Sequence, residues 1–265
     1  MPEISELNGI TRVALSLEQD RYDVLVGDGI LSQIPHLLED AGVFRRRIAV
    51  VTDSNVEPLY GQAVIDPLRQ AGCEIVEITV PAGEASKSME TVTEVSRQML
   101  RSGLDRKSLL IALGGGVVGD LAGFAAAIFQ RGIDFVQIPT TVVAQVDSSV
   151  GGKTGVNTPE GKNLLGSFHQ PRLVIADVAT LRSLPDREYN EGFAEVIKHA
   201  AIRDLGLLSK VESLGTRREQ LIPLIARNVA IKAAVVEEDE RETTGTRALL
   251  NFGHTIGHGI ENAAG

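Results

Sequence analysis

Apolar residues recur with two different periods along this chain, and each period predicts a type of element. Short apolar runs predict strands at Arg12–Leu17, Tyr22–Val26, Arg47–Thr52, Glu74–Val80, Leu109–Leu113 and Leu173–Asp177. Helical spacing predicts helices at Ile30–Ala41, Glu57–Ala71 and Met89–Ser102, and a further helix that ends near Phe129. The first two strands alternate strictly, which predicts a hairpin or edge strands. The later strands alternate with helices, which predicts a parallel, doubly wound α/β sheet.

The pattern changes after Pro185. From Arg187 onward the spacing is helical and predicts no strand; the predicted helices are Asn190–Ile202, Leu205–Leu214, Arg217–Glu238 and Arg247–Asn262. The sequence therefore predicts two domains, an α/β nucleotide-binding domain over residues 1–184 and an all-α domain over residues 185–265.

Composition and charge narrow the class of protein. A chain of 265 residues with 43% hydrophobic residues can bury a sizeable core. The single cysteine, Cys73, excludes an intrachain disulfide framework and favours a reducing compartment, where we expect it to be a small buried residue. The acidic start predicts no signal peptide, and the glycines and Asp120 within Leu109–Phe129 make that segment a poor membrane span. We therefore expect a cytoplasmic protein.

The net charge of −9 argues against nucleic acid and anionic membranes as partners. A phosphorylated acid would need a local cluster of cations to bind such a chain. The candidates are Arg131, Lys153, Lys162, Lys198, Lys232 and Arg247.

A strand, a glycine turn and a helix follow one another between Leu109 and Phe129. Gly114, Gly116 and Gly119 fit the G-x-G-x-x-G spacing of dinucleotide-binding turns. Glycines let the backbone approach a phosphate closely, and the helix start offers free N–H groups and a positive dipole end. A tight turn with close helix packing would give the same pattern, so the motif leaves both interpretations open.

Polar residues that a packed core does not need follow the next predicted strand. Gln137–Asn157 contains an aspartate, two serines, a glycine pair, a lysine and a threonine in close succession. Gly161–Pro171 again places donors and cations on what we expect to be a glycine-bearing loop, a type of loop that binds anions. These strings resemble the 3-dehydroquinate synthase family of the shikimate pathway, and the resemblance extends from Thr11 to Gly265.

The resemblance implies an NAD site at the carboxyl ends of the predicted strands. The implied contacts are Asp53, Gly83, Glu84, Lys87, Gly115, Gly116, Val117, Val118, Gly119, Asp120, Thr140, Thr141, Asp147, Lys153, Lys162, Thr180, Leu181, Arg182 and Ser183. Asp53 could accept from a ribose hydroxyl, but an N-cap of the following helix explains this aspartate equally well.

Two features of the predicted helical half suggest chemistry before any resemblance is considered. Glu195 and Lys198 share a helix face, either as a simple ion pair or as site residues, and His199, four residues after Glu195, could be a second ligand. The resemblance makes His199 the weaker candidate, because this position varies in the family. Lys232 falls on the apolar face of its helix, where an ammonium group implies a nearby anion or a stem that reaches solvent. We favour the anion.

A histidine pair is the third feature. His254 and His258 are four residues apart on one predicted helix face, a spacing suited to a divalent metal or to a ligand paired with a proton shuttle. By resemblance, Glu195 and His254 bind Zn²⁺ or Co²⁺, and His258 acts as a proton relay. The resemblance further implies substrate contacts from Lys153, Asn163, Lys198, Lys232, Glu242, Arg247 and Asn251, with Arg131 reaching the phosphate from a neighbouring subunit of a homodimer.

The resemblance implies a lyase of aromatic amino-acid and chorismate biosynthesis. The substrate, 3-deoxy-D-arabino-heptulosonate 7-phosphate, is oxidised transiently by NAD, loses phosphate by elimination, is reduced again and closes by an internal aldol step to give 3-dehydroquinate. The family's third zinc ligand follows in a His-Gly-Glu segment beyond Gly265, so we expect a truncated chain that is inactive by itself. Another sugar-phosphate cyclase, a metal-dependent alcohol dehydrogenase and a nucleotide-binding chain without activity are the alternatives.

Overall fold

The computed structural model describes residues 1–214 and 220–253. Its strands are β1 (Ile4–Leu7), β2 (Ile10–Ser16), β3 (Arg21–Gly27), β4 (Arg47–Asp53), β5 (Glu74–Val80), β6 (Leu109–Gly114), β7 (Asp134–Pro139), β8 (Lys153–Thr158), β9 (Gly161–Phe168) and β10 (Leu173–Asp177). Its helices are α1 (Ile34–Asp40), α2 (Gln62–Gln70), α3 (Met89–Arg101), α4 (Gly116–Ile128), α5 (Asp186–Arg203), α6 (Leu205–Leu214) and α7 (Leu221–Glu238).

An eight-stranded sheet in the order β1-β2-β3-β10-β7-β6-β4-β5 forms the centre of the chain. The strands β2 and β3 pair antiparallel, as the alternating pattern predicts, and β1, a strand that the pattern did not predict, pairs antiparallel with β2. Every pair from β3 to β5 is parallel. The parallel strands end at a common edge, where α4 begins directly after β6. This edge is where α/β proteins bind ligands.

Helices cover both faces of the parallel strands, which explains why β6 and β10 are buried at every position. Along β4, Ile48 and Val50 pack with α1 and α2, whereas Ala49 and Val51 pack with α3 and α4. Successive side chains of a strand point to opposite faces, so one short apolar run serves two separate cores.

A third core joins the antiparallel strands to the helices that follow Pro185. Val13 and Val24 of β2 and β3 belong to the same buried cluster as Val196 of α5 and Val229 of α7. Helix α5 begins directly after Pro185, and Asp186 lies in its first turn, where an acidic side chain favours the positive end of the helix dipole. The predicted α/β sheet followed by helices is confirmed.

Three predicted elements differ from the structure. The segments expected as glycine-bearing loops around Lys153 and Gly161–Pro171 form the antiparallel hairpin β8–β9, because Gly155 and Gly166 face each other across its two strands. The predicted helix Arg247–Asn262 is a 3₁₀ turn over Thr246–Asn251 within the described residues. Within the described residues, the predicted helix Arg217–Glu238 begins at Leu221, because Gln220 has a left-handed conformation; residues 217–219 of the predicted helix lie outside the described residues.

Two further observations concern the whole chain. Cys73 is buried, as expected, with 8% of its surface exposed. Among the described residues, no helix combines the length and the apolar character needed to cross a lipid bilayer.

Candidate active site

The glycine turn after β6 is required by close packing. A Cβ atom at Gly114 would lie 2.7 Å from the side chain of Val118, and one at Gly119 would lie 2.6 Å from Oε1 of Gln137. A Cβ at Gly116 would meet Oγ of Ser148 at 3.1 Å, a tight but less severe contact. Close helix packing therefore accounts for Gly114 and Gly119, while the free N–H groups at the start of α4 still offer an anion site.

The end of β7 is joined to this turn. The amide of Thr140 donates to the carbonyl of Gly114 at 2.9 Å, which ties the two strand ends together. Thr141 accepts from the amide of Ala144 at 3.2 Å through its hydroxyl and so caps the next turn. Val117 and Val118 lie in the first turn of α4, and Val118 is buried.

The next turn is a π-helix over Ala144–Ser148. This form is rare in proteins, and where it occurs it is often found at functional sites. Its Gln145 is fully buried, and Nε2 lies within reach of the carbonyls of Pro139 at 3.1 Å and Asp177 at 2.9 Å. These contacts of Gln145 anchor the turn to the ends of β7 and β10 and so fix the position of Asp147. Sequence reasoning missed Gln145; an uncharged amide between two apolar residues was the available signal.

Asp147 is the centre of a buried charge cluster. The ammonium of Lys232 pairs directly with its carboxylate and donates to its backbone carbonyl at 2.7 Å, while Lys198 lies 3.8 Å from the other carboxylate oxygen. Burial favours the neutral acid, but the two ammonium groups outweigh it and hold the pKa of Asp147 well below its usual range. The expected anion near Lys232 is therefore confirmed as Asp147.

Potential metal ligands converge at the same point. Ligand atoms of Asp147, Glu195 and His199 all lie within 4.8 Å of one another. His199 is fully buried, and its ring nitrogens lack a partner of full hydrogen-bond geometry in the described chain, with Asn228 as the neighbouring amide. Burial lowers the pKa of His199 to about 4, so the ring is neutral at neutral pH, as metal binding requires. This donor set fits a divalent ion.

The sequence ranked His199 low, yet the structure places it with Glu195. His254 and His258 lie outside the described residues. Lys198 also pairs with Glu195, as their shared helix face predicts. A metal at Glu195 would therefore compete with the ammonium of Lys198 for the same carboxylate.

The hairpin β8–β9 forms one wall of the site through a second buried ion pair. The ammonium of Lys87 contacts Asp120 of α4 and the side-chain oxygen of Asn163 of β9, each at 2.5 Å. Only 5% of Lys87 is exposed, and burial raises the pKa of Asp120 although the ammonium opposes this shift. Asn157 joins the same network by donating to Glu84 at 2.7 Å.

The segment after α7 forms the opposite wall. Asp239 accepts from the backbone amides of Thr243 at 2.8 Å and of Thr244 and Arg247 at 3.2 Å. Arg247 is 2% exposed and donates to the carbonyls of Glu240 at 2.5 Å and Gly151 at 3.0 Å. Glu242 pairs with Lys153 across the cleft.

These walls enclose a cleft of about 540 Å³. The predicted site residues that line it are Asp120, Asp147, Lys153, Asn163, Lys198, Lys232, Glu242, Arg247 and Asn251. Sequence reasoning did not single out Phe168, whose ring lies 5.8 Å from the guanidinium carbon of Arg247. A larger cavity of about 770 Å³ lies elsewhere, between β1 and the starts of α6 and α7, and contains none of the predicted site residues.

Other predicted residues lie at the strand edge outside this cleft. Asp53 accepts from the amides of Asn55 at 2.8 Å and Val56 at 3.0 Å and so caps the turn that precedes the next helix. The N-cap residue of that helix is Val56, so Asp53 is not its N-cap, and the ribose contact stays a prediction. Gly83 has a φ of 102°, a conformation that favours glycine. Thr180 and Leu181 are buried in the turn after β10.

Three further residues predicted to contact NAD make polar contacts with other side chains or lie on the surface. Arg182 pairs with Asp28 at 2.6 Å, and the hydroxyl of Ser183 lies 2.6 Å from that of Tyr60. Lys162 is an exposed residue of β9. None of them lines the cleft.

Arg131 lies beyond the far end of α4, exposed and with a φ of 72°. Helix α4 has 13 residues, so its two ends are about 20 Å apart. The structure therefore does not bring Arg131 to the cleft of its own chain. Its predicted contact with a neighbouring subunit stays a prediction.

Comparison with known sequences gives matches over most of the chain. Residues 77–191 match the N-terminal region and residues 192–265 the C-terminal region described for 3-dehydroquinate synthase. A 3-dehydroquinate synthase of Symbiobacterium thermophilum is 52% identical over 256 residues, which are 95% of this chain and 71% of that protein. One of Caulobacter vibrioides is 48% identical and covers 97% of this chain and 70% of its own length.

Solved structures share the fold. A 2-deoxy-scyllo-inosose synthase complexed with carbaglucose-6-phosphate, NAD⁺ and Co²⁺ has a TM-score of 0.87 and 27% identity, over 95% of this chain and 70% of its own. The 2-epi-5-epi-valiolone synthase of Streptomyces hygroscopicus subsp. jinggangensis, with NAD⁺ and Zn²⁺ bound, has a TM-score of 0.81 and 33% identity, over 90% of this chain and 67% of its own. An iron-containing alcohol dehydrogenase at 16% identity and a TM-score of 0.66 shows the fold alone.

The family descriptions together cover residues 77–265, and both curated relatives exceed 45% identity over nearly the whole of this chain. By these matches the chain belongs to the 3-dehydroquinate synthase family, a family of lyases, and has the fold of the sugar-phosphate cyclases.

Proposed function

We propose that the cleft between α4, the hairpin β8–β9 and α7 is the site at which an enzyme that extends this chain through the His-Gly-Glu segment converts 3-deoxy-D-arabino-heptulosonate 7-phosphate into 3-dehydroquinate and phosphate. The observation that carries the proposal is the convergence of Lys153, Lys198, Lys232 and Arg247 in one cleft of a chain with a net charge of −9. A substrate with a carboxylate and a phosphate needs such a local cluster. The glycine turn at the start of α4 opens beside it.

The cofactors fit the residues present. NAD would lie along the strand edge, with its pyrophosphate at the start of α4, and the divalent metal would be held by Glu195 together with His254, or with His199 and Asp147. When bound, NAD accepts and returns a hydride and the metal polarises a substrate oxygen. The relatives that carry NAD⁺ with Co²⁺ or Zn²⁺ support this assignment.

The chain's own groups then orient the substrate. Lys153 and Arg247 supply donors at one end of the cleft, and Asn163 is held in place by Lys87 at the hairpin wall. Lys198 and Lys232 lie beside Asp147 at the inner end, so they can bind a second anionic group only as their carboxylate contacts rearrange. His258, by its sequence position alone, remains the proposed proton relay.

The setting of the enzyme is part of the proposal. We infer a cytoplasmic enzyme of the shikimate pathway that acts as a homodimer, in which Arg131 of one subunit reaches the substrate of the other. The exposed position of Arg131 far from its own cleft supports this arrangement.

The test is a joint assay of phosphate and NADH with the seven-carbon phosphate, NAD⁺ and Zn²⁺. This assay and the variant kinetics below use the enzyme extended through the His-Gly-Glu segment, because the 265-residue chain by itself is expected to be inactive. The proposed reaction releases phosphate without net NADH, because the hydride is returned. An alcohol dehydrogenase would accumulate NADH without phosphate release. A chain that only binds nucleotide would give neither signal.

The substitution Lys153→Met should lower kcat/KM by about 2 kcal/mol, the scale of losing a charge-assisted contact to the substrate. Thermal stability should change much less, because about half of the Lys153 side chain is exposed, 49% by area. Lys107→Met, an exposed lysine at the opposite edge of the sheet, is the matched control. A large loss of stability with normal turnover per folded molecule would make Lys153 structural.

A further inference from the structure

One carboxylate of the chain lies beside two cations that are proposed to orient the substrate. Glu242 pairs directly with Lys153, the first residue of β8, and its Oε1 lies 3.8 Å from Nε of Arg247. Glu242 and Lys153 are 89 residues apart in sequence, and both line the cleft. The ion pair therefore bridges the two walls of the proposed site.

Arg247 is held by two hydrogen bonds, and its Nε has no hydrogen-bond partner in the described chain. Nη1 donates to the carbonyl of Glu240 at 2.5 Å, and Nη2 donates to that of Gly151 at 3.0 Å. Its Nε is buried and has no hydrogen-bond partner among residues 1–214 and 220–253. The distance of 3.8 Å to Glu242 is too long for a hydrogen bond. An unsatisfied buried donor of this kind is costly, so it favours binding of a further acceptor.

Nothing else in the described chain anchors the Glu242 side chain. Within residues 1–214 and 220–253, its only side-chain ion pairs are those with Lys153 and Arg247, and 37% of the side chain is exposed. Its backbone has a φ of 57°, a left-handed conformation that disfavours residues other than glycine. The segment is held instead by Asp239, which caps the amides of Thr243 and Thr244. Glu242 can therefore leave Lys153 without unravelling this wall.

We propose that Glu242 is an internal counter-ion that occupies Lys153 in the ligand-free enzyme and is displaced by the phosphate group of the substrate. The inference rests on the proposed function of the cleft. A carboxylate reaches Lys153 but not Nε of Arg247, whereas a phosphate presents oxygens on several sides and can accept from both cations. Glu242 and phosphate compete for Lys153, because their like charges repel.

The test measures binding of inorganic phosphate by calorimetry at low salt, so that no catalytic step is involved. Glu242→Gln keeps the shape of the side chain and removes its charge. We expect it to bind phosphate about two- to fivefold more tightly than the unmodified protein, since a partly exposed ion pair is a weak competitor. Glu240→Gln removes a charge from the same segment without touching Lys153, and should leave the affinity unchanged.

A second background shows whether the effect passes through Lys153. In Lys153→Met, phosphate binding should weaken, and adding Glu242→Gln should then produce no tightening. The counter-ion role would be overturned if Glu242→Gln bound phosphate no more tightly than the unmodified protein does. It would also be overturned if Glu242→Gln tightened binding equally in the unmodified protein and in Lys153→Met. Either result would leave the anion site intact. Full phosphate affinity in Lys153→Met, or no saturable binding by any of these proteins, would instead contradict both the proposed site and the counter-ion. Circular dichroism confirms that each variant is folded.

Discussion

At the scale of single residues, most cations of the cleft already have an anionic partner. Lys87 pairs with Asp120, Lys198 with Glu195, Lys232 with Asp147 and Lys153 with Glu242. A substrate anion must therefore exchange partners with these carboxylates. The cleft is prepared for anions without holding unpaired buried charges, which would be costly.

The most deeply buried of the pairs at the hairpin wall is structural. Lys87→Met should reduce the free energy of unfolding by about 3 kcal/mol, because the carboxylate of Asp120 is left buried without its partner. Urea unfolding measures the loss, with Lys107→Met as the exposed-lysine control. The double variant with Asp120→Asn should recover most of the stability. A loss below about 1 kcal/mol in the single variant would mean that water satisfies Asp120.

Acid should loosen the wall that carries Arg247. Burial of Asp239 opposes ionisation, but hydrogen bonds from the amides of Thr244, Arg247 and Thr243 lower its pKa to about 2. A folded pKa below the unfolded value means that the cap stabilises the fold above pH ~4 and is lost as the pH falls towards about 2. Amide NMR shifts of Thr243 and Thr244 should follow this titration. Shifts that titrate near the ordinary aspartate pKa would show that the cap is weak.

At the scale of elements, the hairpin β8–β9 packs closely against α4, with the side chain of Thr154 directly against Gly123. A Cβ at Gly123 of α4 would lie 2.5 Å from Cγ2 of Thr154 and 3.2 Å from the ring of Phe135. The hairpin itself pairs Gly155 with Gly166. The small residues let α4, which begins at the glycine turn, and the wall that carries Lys153 and Asn163 form one rigid unit.

Gly123→Ala should therefore destabilise the protein by about 1–3 kcal/mol through overpacking, although alanine is otherwise the better helix former. Thermal unfolding checks the change. In the background Thr154→Ser, which lacks the Cγ2 methyl but keeps the hydroxyl bonded to Ser167, the cost should be smaller. An equal cost in both backgrounds would place the strain at Phe135 instead.

At the scale of the whole molecule, the residues before and after Pro185 share one core. Val13 and Val24 of the antiparallel strands lie in the same cluster as Val196 and Val229 of α5 and α7. The division into domains of residues 1–184 and 185–265 stays a prediction, because the topology changes at Pro185 while the apolar packing continues across it.

The shared core predicts cooperative unfolding. Val229→Ala, at a fully buried position of α7, should cost about 2 kcal/mol and shift a single urea transition seen by both circular dichroism and tyrosine fluorescence. Val64→Ala, in the separate core between α1, α2 and β4, is the control and should shift the same transition. Two transitions, of which each variant moves only one, would instead favour independent domains.

The sequence by itself determined the elements and much of the chemistry. Continuous apolar runs specified the buried parallel strands, because a strand covered on both faces has no polar side. The position of Lys232 on an apolar helix face predicted an anion, and the structure supplies Asp147. Such inferences need only local spacing and the cost of burying a charge.

The tertiary structure alone decided which groups meet. The hairpin β8–β9 was missed because its glycines and polar residues lack the period of a strand, and its close contact with α4, Gly123 against Thr154, joins residues 31 positions apart. The π-helical turn directs Gln145 into the core and Asp147 into the cleft, and its position depends on strands that are distant in sequence. The ion pair between Lys153 and Glu242 likewise joins two walls of the cleft whose residues are 89 positions apart. Long-range contacts of this kind are fixed when separate apolar faces pack together, and no local pattern encodes them.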